Sequence, residues 1–187
     1  MTATGRRLTL DEFLALPEEE PALEYVGGEV TQKVAPETWH GLIRGDLIFR
    51  LRSAAQPARL GHVLPEHRST YGGCSTVPDL AMYGWGRIPR DTRGRLVNDV
   101  TVPPDLAIEI ESPERRASRL DERCRWHVAN GVRVALLVDL DDETIREYRP
   151  GAAPRVLRGD DVLDLGDVLP GYTLVVGELF AVLTEGA

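Results

Sequence analysis

The sequence predicts an α/β protein in which helices flank a mixed β-sheet. β-like runs occur at 77–83 and 105–111, and a nearly unbroken apolar run, VRVALLVDL, follows later in the chain. Helical periodicity separates the second and third of these runs, and a long helical pattern precedes them all. Together these elements imply a mixed sheet with helices packed against it. At 187 residues the chain is expected to form one domain over 1–187.

The first predicted elements are a short helix and a hairpin. Thr9 and Glu12 have the spacing of a capping box, which predicts a helix over about 10–16 that the next proline closes. The segment LEYVGGEVTQKV predicts two short strands joined at its paired glycines. Glu24 lies on the first of these strands or just before it.

A long helix is predicted over about 38–54. Apolar residues recur there every four positions, and further apolar residues widen the stripe: Trp39, Ile43, Leu47 and Leu51, then Leu42, Ile48 and Phe49. The width of this stripe indicates a largely buried helix. Short β-like runs are predicted next at 61–67, 69–71 and 77–83, before an exposed loop at 84–95.

The second half alternates strands and helices. After the strand at 105–111, a helix over about 114–129 ends at an Asn-Gly pair. The run VRVALLVDL is typical of a central strand covered on both faces. The alternating TIREYRP predicts an edge strand, and the segments LPGYTL and VGELFAVL predict a last strand and a closing helix.

Composition and charge exclude several classes of protein. An apolar fraction of 42% and a charged fraction of 28% are typical of a globular chain, and no apolar run reaches the length of a membrane span. No secretory signal is recognisable, so a cytoplasmic location is expected. The net charge of −8 argues against coating nucleic acid by charge alone, although a local basic groove remains compatible with it. Cys74 and Cys124 are predicted to be buried free thiols.

The segment PPDLAIEIESP places acids inside an apolar strand. Because side chains alternate along a strand, Glu109 and Glu111 share one face, and the leucine and isoleucines around them face the other way. An isolated buried charge is very costly, so these carboxylates need a partner. A divalent cation is the obvious candidate.

The order of motifs resembles the Uma-two family of restriction-endonuclease-like domains, within the PD-(D/E)XK nuclease superfamily. The motifs are the LTLDEFLAL helix, the LEYVGGEV hairpin, a helix opening near His40, the strands PDLAMY and PPDLAIEIESP, a helix ending in NGV, LLVDL, and a final LPGYTL and ELF. The resemblance covers nearly the whole chain. It implies a restriction-endonuclease-like fold.

The resemblance also implies roles for particular residues. Asp79 and Glu109 would be metal-binding carboxylates on adjacent strands, with Glu24 as an auxiliary acid. The metal would be Mg²⁺ or Mn²⁺, which lowers the pKa of an attacking water and neutralises charge as a phosphodiester of DNA is hydrolysed. Mg²⁺ prefers oxygen ligands and keeps several waters, so two or three carboxylates suffice.

The sequence departs from the superfamily signature at its lysine, which stands two residues after the second acid. That position is Glu111 here. In many Uma-two members the lysine lies on the following helix instead, and the matching residue here is Arg123. Arginine stays protonated, so Arg123 can steady a phosphate but cannot take a proton from water, a role that Glu111 could fill.

Structural alternatives exist for each of these residues. Asp79 could cap backbone amides at a strand end, and Glu111 could simply face solvent at the end of its strand. Asp105 is expected to close a turn after two prolines. Polar surface or satisfied core positions are expected for the four histidines, and a solvated face for most of a group of helix arginines: Arg115, Arg116, Arg119, Arg123 and Arg125.

The expected function is therefore a metal-dependent endonuclease acting on DNA. The alternative is a catalytically inactive nuclease-like domain that binds a protein or nucleic-acid partner. A homodimer is a third possibility, in which a sheet edge at 145–148 pairs with its copy.

Overall fold

The computed structural model describes residues 7–33, 37–111 and 117–184. The helices are α1 (Leu10–Leu14), α2 (Thr38–Ala55), α3 (Ala117–Ala129) and α4 (Val176–Phe180), and a 3-10 helix follows at Ala181–Thr184. The first six strands are β1 (Leu23–Val26), β2 (Glu29–Gln32), β3 (Gly61–Pro65), β4 (Ser69–Tyr71), β5 (Cys74–Thr76) and β6 (Leu80–Gly84). The others are β7 (Leu106–Ile110), β8 (Val134–Asp139), β9 (Thr144–Tyr148), β10 (Arg155–Arg158), β11 (Val162–Asp164) and β12 (Thr173–Val175).

A six-stranded mixed sheet with the order β10-β9-β8-β7-β6-β3 forms the centre of the fold. The neighbours β7 and β8 run parallel, whereas the other described pairs of this sheet are antiparallel. Parallel strands need a crossover connection, and α3 lies in the segment that joins β7 to β8. The prediction of a mixed sheet flanked by helices is thus confirmed.

The two faces of the central sheet carry different helices. On β7 the side chains of Leu106, Ile108 and Ile110 join the hydrophobic cluster that contains the buried stripe of α2. Ala107 joins the cluster on the opposite face, with residues of α3. Since side chains alternate along a strand, Glu109 lies on the same face as Ala107, towards α3.

A second sheet, with the order β2-β1-β5-β4, lies alongside. The predicted hairpin is confirmed as β1 and β2, and Gly27 and Gly28 both have positive φ angles, 59° and 89°, which a tight turn of this kind requires. β1 also pairs with β5 through Tyr25 and Ser75. Because β5 precedes β6 in the chain, this pairing brings the hairpin next to the central sheet.

Two predictions about exposure are wrong. TIREYRP is not an edge strand, because β10 pairs with β9 along its outer side. The edge at 145–148 is therefore not open for pairing with a second copy. Helix α2 is not largely buried: the sheet covers a single stripe of it, and the side chains of Trp39, Leu42 and Phe49 are exposed.

Several boundaries also differ from the predicted ones. The capping box at Thr9 and Glu12 is confirmed, but α1 ends at Leu14. The run predicted at 77–83 becomes a strand only from Leu80, so Asp79 lies just before β6. The start of the helix predicted over 114–129 falls partly outside the described residues.

Nothing in the sequence analysis predicted the short strands β5, β10 and β11. Across the described ranges, no helix is both long and apolar enough to cross a membrane.

The orientation of α2 is tested by two substitutions in the same helix. Ile43 is fully buried, so Ile43→Ala should lower the free energy of unfolding by about 2–5 kcal/mol. Phe49 is 70% exposed, so Phe49→Ala should change it by less than about 0.5 kcal/mol. Urea denaturation of both variants measures the difference. Equal losses would contradict the assigned faces of the helix.

Candidate functional site

Asp79 lies in the connection between β5 and β6, where backbone contacts fix its carboxylate. Its Oδ2 accepts a hydrogen bond from the backbone N–H of Ile110 on β7, at 2.8 Å. This contact spans the two neighbouring strands and holds the carboxylate beside the residue that precedes Ile110, Glu109. The side chain of Asp79 is only 1% exposed. The prediction placed Asp79 and Glu109 on adjacent strands; Glu109 does lie on β7, whereas Asp79 lies just before the neighbouring strand β6.

A lysine and a histidine face the other oxygen of Asp79. The Nζ atom of Lys33 donates to Asp79 Oδ1 at 2.7 Å and to the carbonyl of Val77 at 2.9 Å. Nε2 of His40, at the start of α2, lies 3.5 Å from the same Oδ1. Nδ1 of His40 is buried and has no hydrogen-bond partner among the described residues. Both side chains are buried, so this ion pair lies out of contact with bulk water.

These neighbours decide the ionisation of Asp79. Burial alone would raise its pKa, but the hydrogen bond from His40 and the positive charge of Lys33 together bring the pKa below its ordinary value of 3.8. Asp79 is therefore ionised at neutral pH in spite of its burial.

Glu109 is fully buried and lies beneath α3. Its Oε1 is 3.2 Å from Nε2 of His127, whose Nδ1 forms a short hydrogen bond with the hydroxyl of Tyr71. An ionised Glu109 accepts the proton on Nε2, so Nδ1 accepts from the tyrosine hydroxyl. Burial opposes ionisation of Glu109, as does the negative charge of Asp79, but Arg123 and His127 outweigh them and lower its pKa.

Arg123 connects the two sheets through a forked ion pair. Its Nη1 donates to Oε1 of Glu24 at 2.9 Å, and its Nη2 donates to Oε2 of the same carboxylate. Nη1 also lies 3.5 Å from Oε1 of Glu109. Glu24, on β1, accepts a further hydrogen bond from the backbone N–H of Val77 at 2.8 Å. Bidentate contacts of this kind are the strong class of ion pair.

The cluster therefore contains three acids, Asp79, Glu109 and Glu24, and two basic side chains paired with them, Lys33 and Arg123. Carboxylate oxygens are the ligands that Mg²⁺ prefers, so the chemistry of the donors suits a hard divalent cation. Within the described ranges, however, no three His, Cys, Asp or Glu side chains converge as ligands for a metal ion. Lys33 and Arg123 occupy carboxylate oxygens of this cluster that could otherwise serve as metal ligands.

Glu111 stands apart from the other predicted site residues. Its backbone N–H donates to Val138 of β8, and its side chain is partly exposed beyond the end of β7. Burial and the negative charges of Asp139 and Asp141 raise its pKa. Glu111 is therefore more easily protonated than an ordinary glutamate, and its described surroundings are those of the turn after β8.

Several structural expectations are borne out. Asp105 has a structural role, as expected, but it does not close a local turn: its Oδ2 accepts a hydrogen bond at 2.7 Å from the backbone N–H of Gly84, the last residue of β6. Cys74 and Cys124 are buried free thiols. On α3, Arg125 pairs with Asp121 at 2.6 Å, as a solvated helix face would. Arg115 and Arg116 lie outside the described residues.

Sequence reasoning missed Lys33, His40, His127 and Tyr71 as members of the cluster. Two signals were present. Lys33 is the one lysine in a chain with 21 arginines. His127 follows Arg123 by four residues, which places the two on one face of a helix. Neither signal predicts that these side chains lie next to Asp79 or Glu109.

Comparison with known proteins gives a consistent result. The family model described as "Uma2: Putative restriction endonuclease" matches residues 10–177. A crystal structure from Anabaena variabilis, described as a putative nuclease belonging to DUF820, superimposes with a TM-score of 0.91 at 34% identity. That match covers 94% of this chain and 99% of the other. A search of curated proteins found no match.

The lowered pKa values predict how stability depends on pH. A carboxylate whose pKa is depressed in the folded state contributes stability that is present above its unfolded value and lost as the pH falls through the folded value. The free energy of unfolding should therefore fall on acidification below about pH 5. Asp79→Asn removes one such carboxylate and should flatten this acid slope in urea titrations at a series of pH values.

Glu111→Gln is the matched control for that experiment. Its raised pKa contributes in the opposite direction, because the folded state binds the proton more tightly than the unfolded chain. Removing the Glu111 carboxylate should therefore leave the fall in unfolding free energy on acidification at least as steep as in the wild type. An unchanged slope in Asp79→Asn would contradict the ion pair with Lys33.

Arg123 should be coupled to Glu24 in stability. Arg123→Met leaves buried carboxylates without their cation and should cost about 3–5 kcal/mol. The double variant Arg123→Met/Glu24→Gln should lose less than the sum of the two single variants, because neither unpaired charge remains between these two positions. Urea denaturation of the three variants gives the coupling energy. Simple additivity would contradict the forked pair.

Proposed function

The chain belongs to the Uma2 family, and from that premise we propose that it is a nuclease that uses a divalent cation, Mg²⁺ or Mn²⁺, to hydrolyse phosphodiester bonds in DNA. The 34% identity to a protein described as a putative nuclease supports the general activity. The cation and the choice of DNA are the specific parts of this proposal.

The observation that carries the proposal is a pair of carboxylates, that of Asp79 just before β6 and that of Glu109 on the neighbouring strand β7. Asp79 is fixed to the backbone of β7 through Ile110, one residue beyond Glu109, and its charge acts on Glu109 directly. Two like charges in a buried setting each oppose the ionisation of the other. A divalent cation between them would remove that cost, and oxygen ligands suit it.

Each residue of the cluster would have a specific role in this reaction. Asp79 and Glu109 would hold the cation, with Glu24 as the auxiliary acid. When bound, the cation supplies an activated water and neutralises charge on the phosphate. His127 would orient Glu109 through its 3.2 Å contact, and Tyr71 in turn fixes the tautomer of His127.

Glu111 and Arg123 would assist the cation from different places, Arg123 from within the cluster and Glu111 from the end of β7, apart from it. The raised pKa of Glu111 makes it a better proton acceptor than an ordinary glutamate, which favours it as the base that takes a proton from water. Arg123 is permanently charged and is suited to steadying a phosphate, although its fork now binds Glu24. Phosphate contact would require part of that fork to turn towards the substrate.

A second candidate is a catalytically silent domain that binds a protein or a nucleic acid. One observation favours it: Lys33 and Arg123 already neutralise the acids that a cation would use. Such a cluster satisfies its buried charges internally and could serve stability alone.

Substitution of the two central acids separates the candidates. Asp79→Ala and Glu109→Ala should abolish the heat of Mg²⁺ or Mn²⁺ binding in calorimetry and any cleavage of a DNA duplex. Asp105→Asn is the matched control, because Asp105 is a buried acid of the same sheet outside the cluster. Retained cleavage in either alanine variant would remove the assignment of its residue.

Substrate class is tested with the same preparations. DNA and RNA duplexes of identical sequence should differ, with DNA cleaved and RNA intact. A wild-type protein that binds no cation and cleaves neither duplex would favour the silent domain.

A further inference from the structure

We propose that Lys33 is a resident cation that competes with a divalent cation for Asp79, so that metal binding and release of the Lys33 amine form one exchange. The inference rests on the proposed function, because it concerns the same carboxylate. It adds a means of regulation: the site accepts metal only when this amine leaves.

The position of Lys33 is unusual for its residue type. Lysine is almost never buried unless it is paired, and Lys33 is 6% exposed. It is also the one lysine of the chain, whose other basic positions are 21 arginines. The 21 arginines include exposed residues and residues in ion pairs. Position 33 differs from them in carrying an ammonium group. An ammonium is a compact charge on a flexible stem, and it lacks the fixed fork of arginine.

The amine and a metal would share the carboxylate of Asp79. Oδ2 of Asp79 is held by the backbone N–H of Ile110 at 2.8 Å, while Oδ1 accepts from Lys33 at 2.7 Å. Mg²⁺ sits about 2.0–2.1 Å from its oxygen ligands. Two cations on one oxygen would lie within a few ångströms of each other, where their repulsion in a poorly solvated site is large. Occupancy by one cation therefore disfavours the other.

Lys33, rather than Arg123, is the internal cation that would leave. It directly follows β2, the outer strand of the four-stranded sheet, whose residues Glu29–Gln32 are all exposed. An outward turn of its stem would break the hydrogen bond to Val77 and the ion pair with Asp79. Arg123 is held more firmly, by two bonds from one guanidinium to Glu24 and by its place on α3.

The first test compares cation affinities by calorimetry. Lys33→Met keeps the length of the side chain and removes its charge, so its Kd for Mn²⁺ should be lower than that of the wild type by about tenfold or more. Arg155→Met, an exposed arginine outside the cluster, controls for the change in net charge and should leave the Kd unchanged.

The outcomes separate this inference from the proposed function. Equal or weaker Mn²⁺ binding by Lys33→Met would overturn the exchange and leave the metal-dependent nuclease standing. Failure of both proteins to bind Mn²⁺ would overturn both.

The second test uses the wild-type protein and needs no folded Lys33→Met variant. Because Lys33 is the single lysine, reductive methylation followed by peptide mass spectrometry reports on this ε-amine alone. Methylation should be slow without metal and about tenfold or more faster with saturating Mg²⁺. In Asp79→Asn the amine should react quickly with or without Mg²⁺. Calorimetric Mg²⁺ binding with an unchanged or slower rate of methylation would overturn the exchange.

Discussion

Neutralisation of buried charge is the constraint on which the rest of this structure depends. Three carboxylates lie within one cluster, each nearly inaccessible to water, and an isolated charge in such a place is very costly. The cations that pair with them, Lys33 and Arg123, come from the β1–β2 hairpin and from α3, whereas two of the acids belong to the central sheet and its connections. The hairpin, the helix and the sheet must therefore meet at this point. The same ion pairs therefore form the candidate site and hold the hairpin, the helix and the sheet together.

The same neutralisation shapes what the site can do. Each ion pair holds an acid ionised and in place, but it also occupies oxygens that a divalent cation would need. A nuclease built on this cluster must exchange one internal cation for a metal, and the charge of +2 on the metal can outweigh the single charge that leaves. Neither position at which the sequence resemblance implied a lysine carries one, because Glu111 and Arg123 stand there.

Local sequence patterns predicted the helices and strands. They did not predict which elements pack against each other across long distances in the sequence. The capping box at Thr9, the paired glycines of the hairpin and the acids of β7 were all readable, because each depends on residues close in sequence. The interior position of β9 in the sheet could not be predicted, because its neighbour β10 is short and charged and was not recognised as a strand. The apolar stripe of α2 indicated a helix but not how much of it the sheet would cover. Lys33 was missed for the same reason: nothing near it in sequence points to Asp79.

The most direct test of the central claim is anomalous diffraction from crystals soaked in Mn²⁺. The account predicts one strong peak within about 2.0–2.2 Å of oxygens from both Asp79 and Glu109, with the Lys33 amine moved away from Oδ1. A fully soaked crystal with no peak at the cluster, and with Lys33 still bound to Asp79, would contradict it.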